Sequence, residues 1–186
     1  MPILNLGAGK KLIENAVNVD VTAYPGIQQV VDLSVFPWPW ADNSIDGIHA
    51  SHVAEHFFDQ KKFFEECYRI LKPKGFLRIV APHSSCITSV GCLGHYRTYG
   101  YNTFNDYLAK DFYMFKTKRF ETTYQRLNWW YEDIDAEGNL SKPIRLVIRL
   151  LNPFMSFLIN LSPRVYENVF AGVLQCREIV WEGIKL

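Results

Sequence analysis

The sequence predicts an α/β fold built on an open, mainly parallel twisted sheet, and three observations carry that expectation. Ile3–Leu6 is an apolar run that enters Gly7-Ala8-Gly9, the way a first strand brings bare backbone up to a ligand at its carboxyl end. Two further short apolar runs each end on an acid, Asp20 and Asp32, and such acids accept hydrogen bonds from the hydroxyl and amino groups of a nucleoside-type ligand. Residues 60–71 then carry apolar side chains at helical spacing and lead into the strongly apolar run 76–81. Strand, crossover and strand in that order are the mark of a parallel sheet.

In chain order, residues 3–6 are expected as strand one and 18–21 as strand two. Only about ten residues separate Gly9 from Asp20, fewer than a helical crossover of a parallel pair takes, so the first crossover is a single turn or a loop. Residues 27–32 read as a third short strand. The turn Tyr24-Pro25-Gly26 before it leaves the second crossover helix missing or vestigial as well. Phe36-Pro37-Trp38-Pro39-Trp40 is a non-helical loop, because each proline fixes its own φ and disfavours helix one residue earlier. Residues 45–50 form strand four. In the helix 60–71, Phe63, Phe64, Cys67, Tyr68, Ile70 and Leu71 make the apolar stripe, and Lys72-Pro73-Lys74-Gly75 stops it before strand five at 76–81. Beyond Pro82 the pattern loosens into loop at 84–100, a short helix at 102–109, a long strand around 118–127, an apolar helical stretch over 143–171 interrupted by Pro153 and Pro163, and a final strand over 176–186, which adds antiparallel pairing at the C-terminal end.

The bulk properties narrow the function classes. At 186 residues with 48% apolar content, one domain is the default, with 1–83 as a ligand-binding core and 84–186 as the substrate side. Twenty basic against 19 acidic residues give no field that points to nucleic acid. The four cysteines, Cys67, Cys86, Cys92 and Cys176, show no paired spacing, which fits reduced thiols in the cytoplasm. A strand entered by Ile3 leaves no room for a signal peptide, and no apolar run reaches about 18 residues, so no membrane span is expected. Aromatic residues, 15% of the chain, concentrate after residue 95, where Phe112, Tyr113, Phe115, Phe120, Tyr124, Trp129, Trp130 and Tyr131 either pack added strands on the sheet or stack on a planar or sugar substrate. The 143–171 stretch reads as a lid or dimer surface, with interfacial contact near a lipid-linked substrate as the other use of such a segment.

The motifs in order, Leu-Asn-Leu-Gly-Ala-Gly at 4–9, Asn-Val-Asp at 18–20, Val-Val-Asp-Leu at 30–33, Phe-Pro-Trp-Pro-Trp-Ala-Asp-Asn-Ser-Ile-Asp at 36–46, His-Val-Ala-Glu-His-Phe at 52–57 and Glu-Cys-Tyr-Arg-Ile-Leu-Lys-Pro-Lys-Gly at 66–75, resemble the class I S-adenosylmethionine-dependent methyltransferases. They look most like the small bacterial and archaeal branch with a shortened first crossover and a Rossmann-like sheet. The resemblance covers roughly residues 3–83. It implies S-adenosylmethionine as cofactor, with Leu6, Gly7, Ala8 and Gly9 against its methionine part, Asp20 and Val21 at the ribose, Asp32 and Leu33 at the adenine, and Ala50, Ser51 and His52 lining it from the end of strand four. A cofactor without phosphates has no need of a third glycine or a phosphate-binding helix start. Asn5 stands where many members have an acid, and Lys11 at the third-glycine position.

Competing motifs are thinner. A dinucleotide fingerprint needs glycine at position 12, which is Leu12, and a Walker loop needs Ser or Thr after Lys10 and a glycine five positions before Gly9. His52-Val53-Ala54-Glu55-His56 fits the inverted zincin pattern, yet no downstream helix offers a third ligand, so no metal is expected and local hydrogen bonding is the plainer role. His83 and His95 are the candidates for a base that takes the acceptor's proton. The expected function is methyl transfer to a small-molecule or sugar-type acceptor. The alternative is a non-catalytic S-adenosylmethionine-binding or scaffold module that dimerises through 143–171.

Overall fold

The computed structural model describes residues 2–111, 115–132 and 140–186. Seven strands form one sheet: β1 (Ile3–Leu6), β2 (Val17–Asp20), β3 (Gln29–Val30), β4 (Ile45–Ser51), β5 (Leu71–Pro82), β6 (Phe120–Asn128) and β7 (Glu178–Lys185). Their order across the sheet is β3-β2-β1-β4-β5-β7-β6. The first five are parallel, and β7 pairs antiparallel with both β5 and β6. This is the expected α/β class. The order reverses at β1, so the carboxyl ends of β1 and its neighbours open a crevice for a ligand.

No helix follows β1 or β2, as their short spacings require. Two buried asparagines hold the first crossover instead. The Asn5 amide donates to the Lys11 carbonyl and to Asn18 Oδ1, both at 2.8 Å. Asn18 Oδ1 also accepts from the Ile13 amide at 2.9 Å, and Asn18 Nδ2 donates back to the Ile13 carbonyl. Asn5 is therefore not an acid missing from the cofactor. Its uncharged amide can donate twice, which a carboxylate could not do.

Helix α1 (Gln60–Ile70) covers the sheet through Phe63, Phe64, Cys67 and Ile70, and Asp59 caps it by accepting from the Lys62 amide. Each of those large side chains contributes about 1.5–3 kcal/mol by leaving water. The Trp-Pro loop is pinned where β3 gives way to it. Trp38 is buried, donates from Nε1 to the Leu33 carbonyl and crosses Phe63 edge-on at 5.7 Å. Arg69 clamps the same loop through Glu66, Asp42 and the Trp38 and Trp40 carbonyls.

Helices α2 (Ile87–Val90) and α3 (Thr103–Leu108) follow β5. Helix α4 (Lys142–Leu161) then lies along β6, the edge strand, and α5 (Pro163–Val165) runs into a π-helical turn at Tyr166–Phe170. Two expectations change here. The helix ends at Ile70, directly before 72–75 as expected, but β5 already starts at Leu71, and 72–75 lies within it as an irregularity with no pairing partner on β4, between the Ile45–Leu71 and Gly47–Phe76 pairs. Pro153 does not interrupt α4, because it sits on the exposed side where losing one amide donor leaves nothing buried unpaired. Phe120 and Trp181 pack at 5.9 Å in the core, so this part of the aromatic set serves packing, while Phe112 and Tyr113 lie outside the described residues.

Candidate functional site

A cavity of about 530 Å³ opens at the carboxyl ends of β1, β2 and β3. Gly7, Asp20, Val21, Asp32 and Leu33 line it, and Ser34, Phe36, His56, Phe57, Phe58, Asp59, Lys62 and Tyr96 complete its walls. Its size lies within the range of small-ligand sites. Gly7 and Gly9 both have positive φ, +60° and +52°. A Cβ on Gly7 would fall 2.5 Å from Val53 Cγ2, whereas one on Gly9 would meet nothing within 4 Å. Gly7 lines the cavity, while Gly9 lies outside its walls with open space beside it.

The Asp20 carboxylate joins this turn to β2. Its Oδ2 accepts from the Gly9 amide at 2.8 Å and its Oδ1 from the Thr22 amide at 2.9 Å. A carboxylate has about four acceptor positions, so two remain for hydroxyls of a ligand. At Asp32, one oxygen accepts from both the hydroxyl and the amide of Ser34, at 2.6 and 2.9 Å. The Ser34 bonds hold this exposed carboxyl below the usual range, so it is anionic at neutral pH. Three carboxylates and one lysine face the cavity, an excess of negative charge that suits a cationic ligand. Lys11 does not add to it, since Lys11 lines a different cavity.

That second cavity, of about 200 Å³, is lined by Ala50 and Ser51 together with Asn5, Lys11 and Arg78. Ala50 pairs with Leu6 beside the glycine turn, yet Ala50 and Ser51 border this second cavity and not the first. Leu6 and Ala8 are buried beneath the turn. His52 lines neither cavity. It takes a left-handed φ of +55° and its ring runs between two carboxylates, Glu55 at 3.3 Å and Glu178 at 3.1 Å. Burial works against its charged form, but the Glu178 hydrogen bond and Glu55 outweigh that and lift its pKa to about 9. At neutral pH His52 is an imidazolium, with no lone pair for a metal or a proton.

Ala54–His56 forms a 3-10 turn, not the α-helix that an inverted zincin pair needs. The residue brought beside it comes from elsewhere: His95 lies edge-on to His56 at 4.9 Å, and the Tyr96 amide donates to the Glu55 carbonyl. Each of these rings donates from Nδ1 to a backbone carbonyl, His56 to Gly94 and His95 to Ser89, which leaves Nε2 as the basic nitrogen of the neutral ring. Ligand atoms of Glu55, His56 and His95 lie within 4.8 Å of one another. That set is wider than the roughly 3.3 Å between ligands about 2 Å from a tetrahedral zinc. Buried Glu55 has no hydrogen bond on either oxygen and is balanced by the His52 ion pair.

His83 is 1% exposed and committed on both sides, Nδ1 to Ser85 and Nε2 to Glu167 at 3.0 Å. Burial alone would raise the Glu167 carboxyl, but its bonds with His83 and the Tyr101 amide hold it below the usual range. His83 borders a third cavity, with Ser84, Ser85 and Glu167, away from Gly7 and Asp20. The sequence missed Phe57, Phe58, Asp59 and Tyr96 as walls of the main cavity, although Phe57-Phe58-Asp59 between β4 and α1 sits where a crossover passes the carboxyl edge.

Comparison with known proteins agrees with this geometry. Residues 8–79 match the family described as a methyltransferase domain. A probable S-adenosylmethionine-dependent methyltransferase of Mycobacterium tuberculosis is 33% identical over 75 residues, 37% of this chain and 27% of that protein. The chain therefore spans about a quarter of the length of the curated relatives it matches. A SAM-dependent methyltransferase from Archaeoglobus fulgidus superposes with a TM-score of 0.62 at 15% identity, covering 99% of this chain and 86% of that one. The Burkholderia thailandensis 1,6-didemethyltoxoflavin N1-methyltransferase, solved with its substrate and S-adenosylhomocysteine, gives 0.55 at 11% identity, covering 99% and 70%. At these identities the structural likeness establishes the fold.

Proposed function

We propose that the chain is a class I S-adenosylmethionine-dependent methyltransferase that transfers the methyl group to a small-molecule or sugar-type acceptor, a reading supported by the family match over residues 8–79 and by its similarity to known methyltransferases. The observation that carries this is the cavity at Gly7, Asp20 and Asp32, with one carboxylate at the end of β2, another just past β3 and an excess of negative charge. These residues fit the cofactor: Asp20 has acceptor positions left for ribose hydroxyls, Asp32 and Leu33 lie where adenine would, and the aromatic walls Phe36, Phe57 and Phe58 suit its flat faces. When bound, S-adenosylmethionine supplies an electrophilic methyl on a positive sulfur.

The chain's own residues align and dry the reacting groups, which accounts for much of the barrier in a displacement between bound partners. His95, whose Nδ1 donates to the Ser89 carbonyl, is the proton acceptor we favour; it lies against His56, which lines the cavity wall. His83, locked between Ser85 and Glu167, serves to position the loop after β5. The four unpaired cysteines fit a reducing, cytoplasmic setting. Titration calorimetry with S-adenosylmethionine and S-adenosylhomocysteine tests the cofactor assignment. Micromolar binding of both is expected, and no heat at millimolar ligand overturns it. Release of S-adenosylhomocysteine on adding cell extract then distinguishes an enzyme from a binding module.

A further inference from the structure

Helix α4 is built inside out. Its polar stripe, Asn152, Ser156 and Asn160 at four-residue spacing, faces the protein and completes the edge of the sheet. The Trp130 amide donates to Asn152 Oδ1, the Trp129 amide to Ser156 Oγ, and Leu127 exchanges bonds with the Asn160 side chain through both its amide and its carbonyl. The apolar side chains point away: Leu146, Leu150, Phe154, Phe157 and Leu161 are each more than half exposed. An amphipathic helix on a water-facing surface turns the opposite way. The apolar surface continues across a groove of about 380 Å³, lined in part by Leu158, Val165 and Phe170, onto exposed Val169 and Val173.

Charge decides between occupants. From Ser141 to Tyr166 the chain carries Lys142, Arg145, Arg149 and Arg164 and no acid, whereas the remainder holds 19 acidic against 16 basic residues. A second copy of the same face offers exposed Lys142 and Arg164 no carboxylate, while an anionic bilayer offers them phosphate. We infer that α4 and the segment after it form a membrane-surface anchor that lies in the headgroup region of an anionic bilayer. The helix has the length and composition of a span, with 17% of its most apolar window buried. It nevertheless lies flat, since crossing the bilayer would strip four hydrogen bonds from β6 and its continuation and carry Asn152, Ser156 and Asn160 into hydrocarbon.

Sedimentation with vesicles of phosphatidylcholine alone and of a roughly 7:3 mixture with phosphatidylglycerol tests the anchor. The full chain should bind the anionic vesicles about tenfold more strongly, and the difference should vanish near 0.5 M salt. Leu150→Gln/Phe154→Gln/Phe157→Gln and, separately, Lys142→Gln/Arg164→Gln should each lose about tenfold in partitioning, with S-adenosylhomocysteine binding unchanged. Equal or absent binding to the two vesicle types overturns the inference. So does a stable dimer in ultracentrifugation that the Leu150/Phe154/Phe157 variant converts to monomer. Failure of the methyltransferase assignment reads differently, as loss of cofactor binding with vesicle binding intact.

Discussion

Replacing Asp20 by alanine separates two jobs that the carboxylate holds at once. In the protein alone it accepts from the Gly9 amide, which is partly buried, and from the Thr22 amide, which is exposed. A partly buried amide that loses a charged acceptor costs about 1.5 kcal/mol, and an exposed one recovers most of its bond from water, so the sum is about 2 kcal/mol. For a chain of this length that lowers Tm by roughly 4–8 °C. With the cofactor bound, loss of the ribose contacts adds a second effect. Charge-assisted bonds are worth about 1.5–3 kcal/mol, hence at least about a tenfold rise in Kd. Differential scanning calorimetry without ligand reads the first effect, and titration with S-adenosylhomocysteine at a temperature well below the lowered Tm reads the second. A variant that melts several degrees lower yet binds within about threefold of the parent would show that Asp20 only braces the glycine turn. The ribose assignment would then be refuted.

Two further outcomes follow from buried polar groups. His52 has its pKa raised from 6.5 to about 9, so it binds a proton more tightly folded than unfolded. Its contribution, on the order of 3 kcal/mol, is complete below about pH 6.5 and is lost as pH rises through 9; denaturation midpoints should fall between pH 7 and 10, and a His52→Gln variant that keeps the same fall would contradict the assignment. Lys185, buried in β7, donates from Nζ to Asn43 Oδ1 and to the Tyr68 and Leu71 carbonyls, all within 2.8 Å, above the Tyr68 ring. Lys185→Met leaves those acceptors unpaired and should cost about 2–5 kcal/mol in urea denaturation, against less than about 0.5 kcal/mol for an exposed control such as Lys61→Met.

The strands that carry the cavity were legible because each is a short apolar run ended by a glycine or an acid, and α1 because its stripe has helical period. Boundaries failed where pairing overrode local signals. Lys72-Pro73-Lys74-Gly75 does follow the end of the helix, yet Leu71 before it already pairs with Ile45, so β5 begins five residues earlier than the apolar run at 76–81 suggests. The family resemblance puts Ala50 and Ser51 at the cofactor, and a resemblance in sequence does not reveal which cavity a strand end borders. The His56–His95 contact spans a loop of undistinguished composition that folds back onto the 3-10 turn through the Tyr96 amide, and no local pattern announces it. Nor does a hydrophobic stripe say whether it faces inward. In α4 the decisive information is the spacing of Asn152, Ser156 and Asn160, which marks the buried side only once an edge strand is known to lie beneath them.

The asparagine-braced first crossover has an electrostatic consequence. In a doubly wound fold the glycine turn commonly opens a helix, whose first turn presents about half a positive charge to the ligand. Here Asn5 and Asn18, neutral amides, hold the same turn with no aligned peptide dipoles behind it. The potential in the cavity is therefore left to side chains, Asp20, Asp32 and Asp59 against Lys62. Such a field draws in a sulfonium and is indifferent to the uncharged thioether that remains once the methyl has gone. Under the proposed assignment, charge favours the arrival of the donor and not the retention of its product.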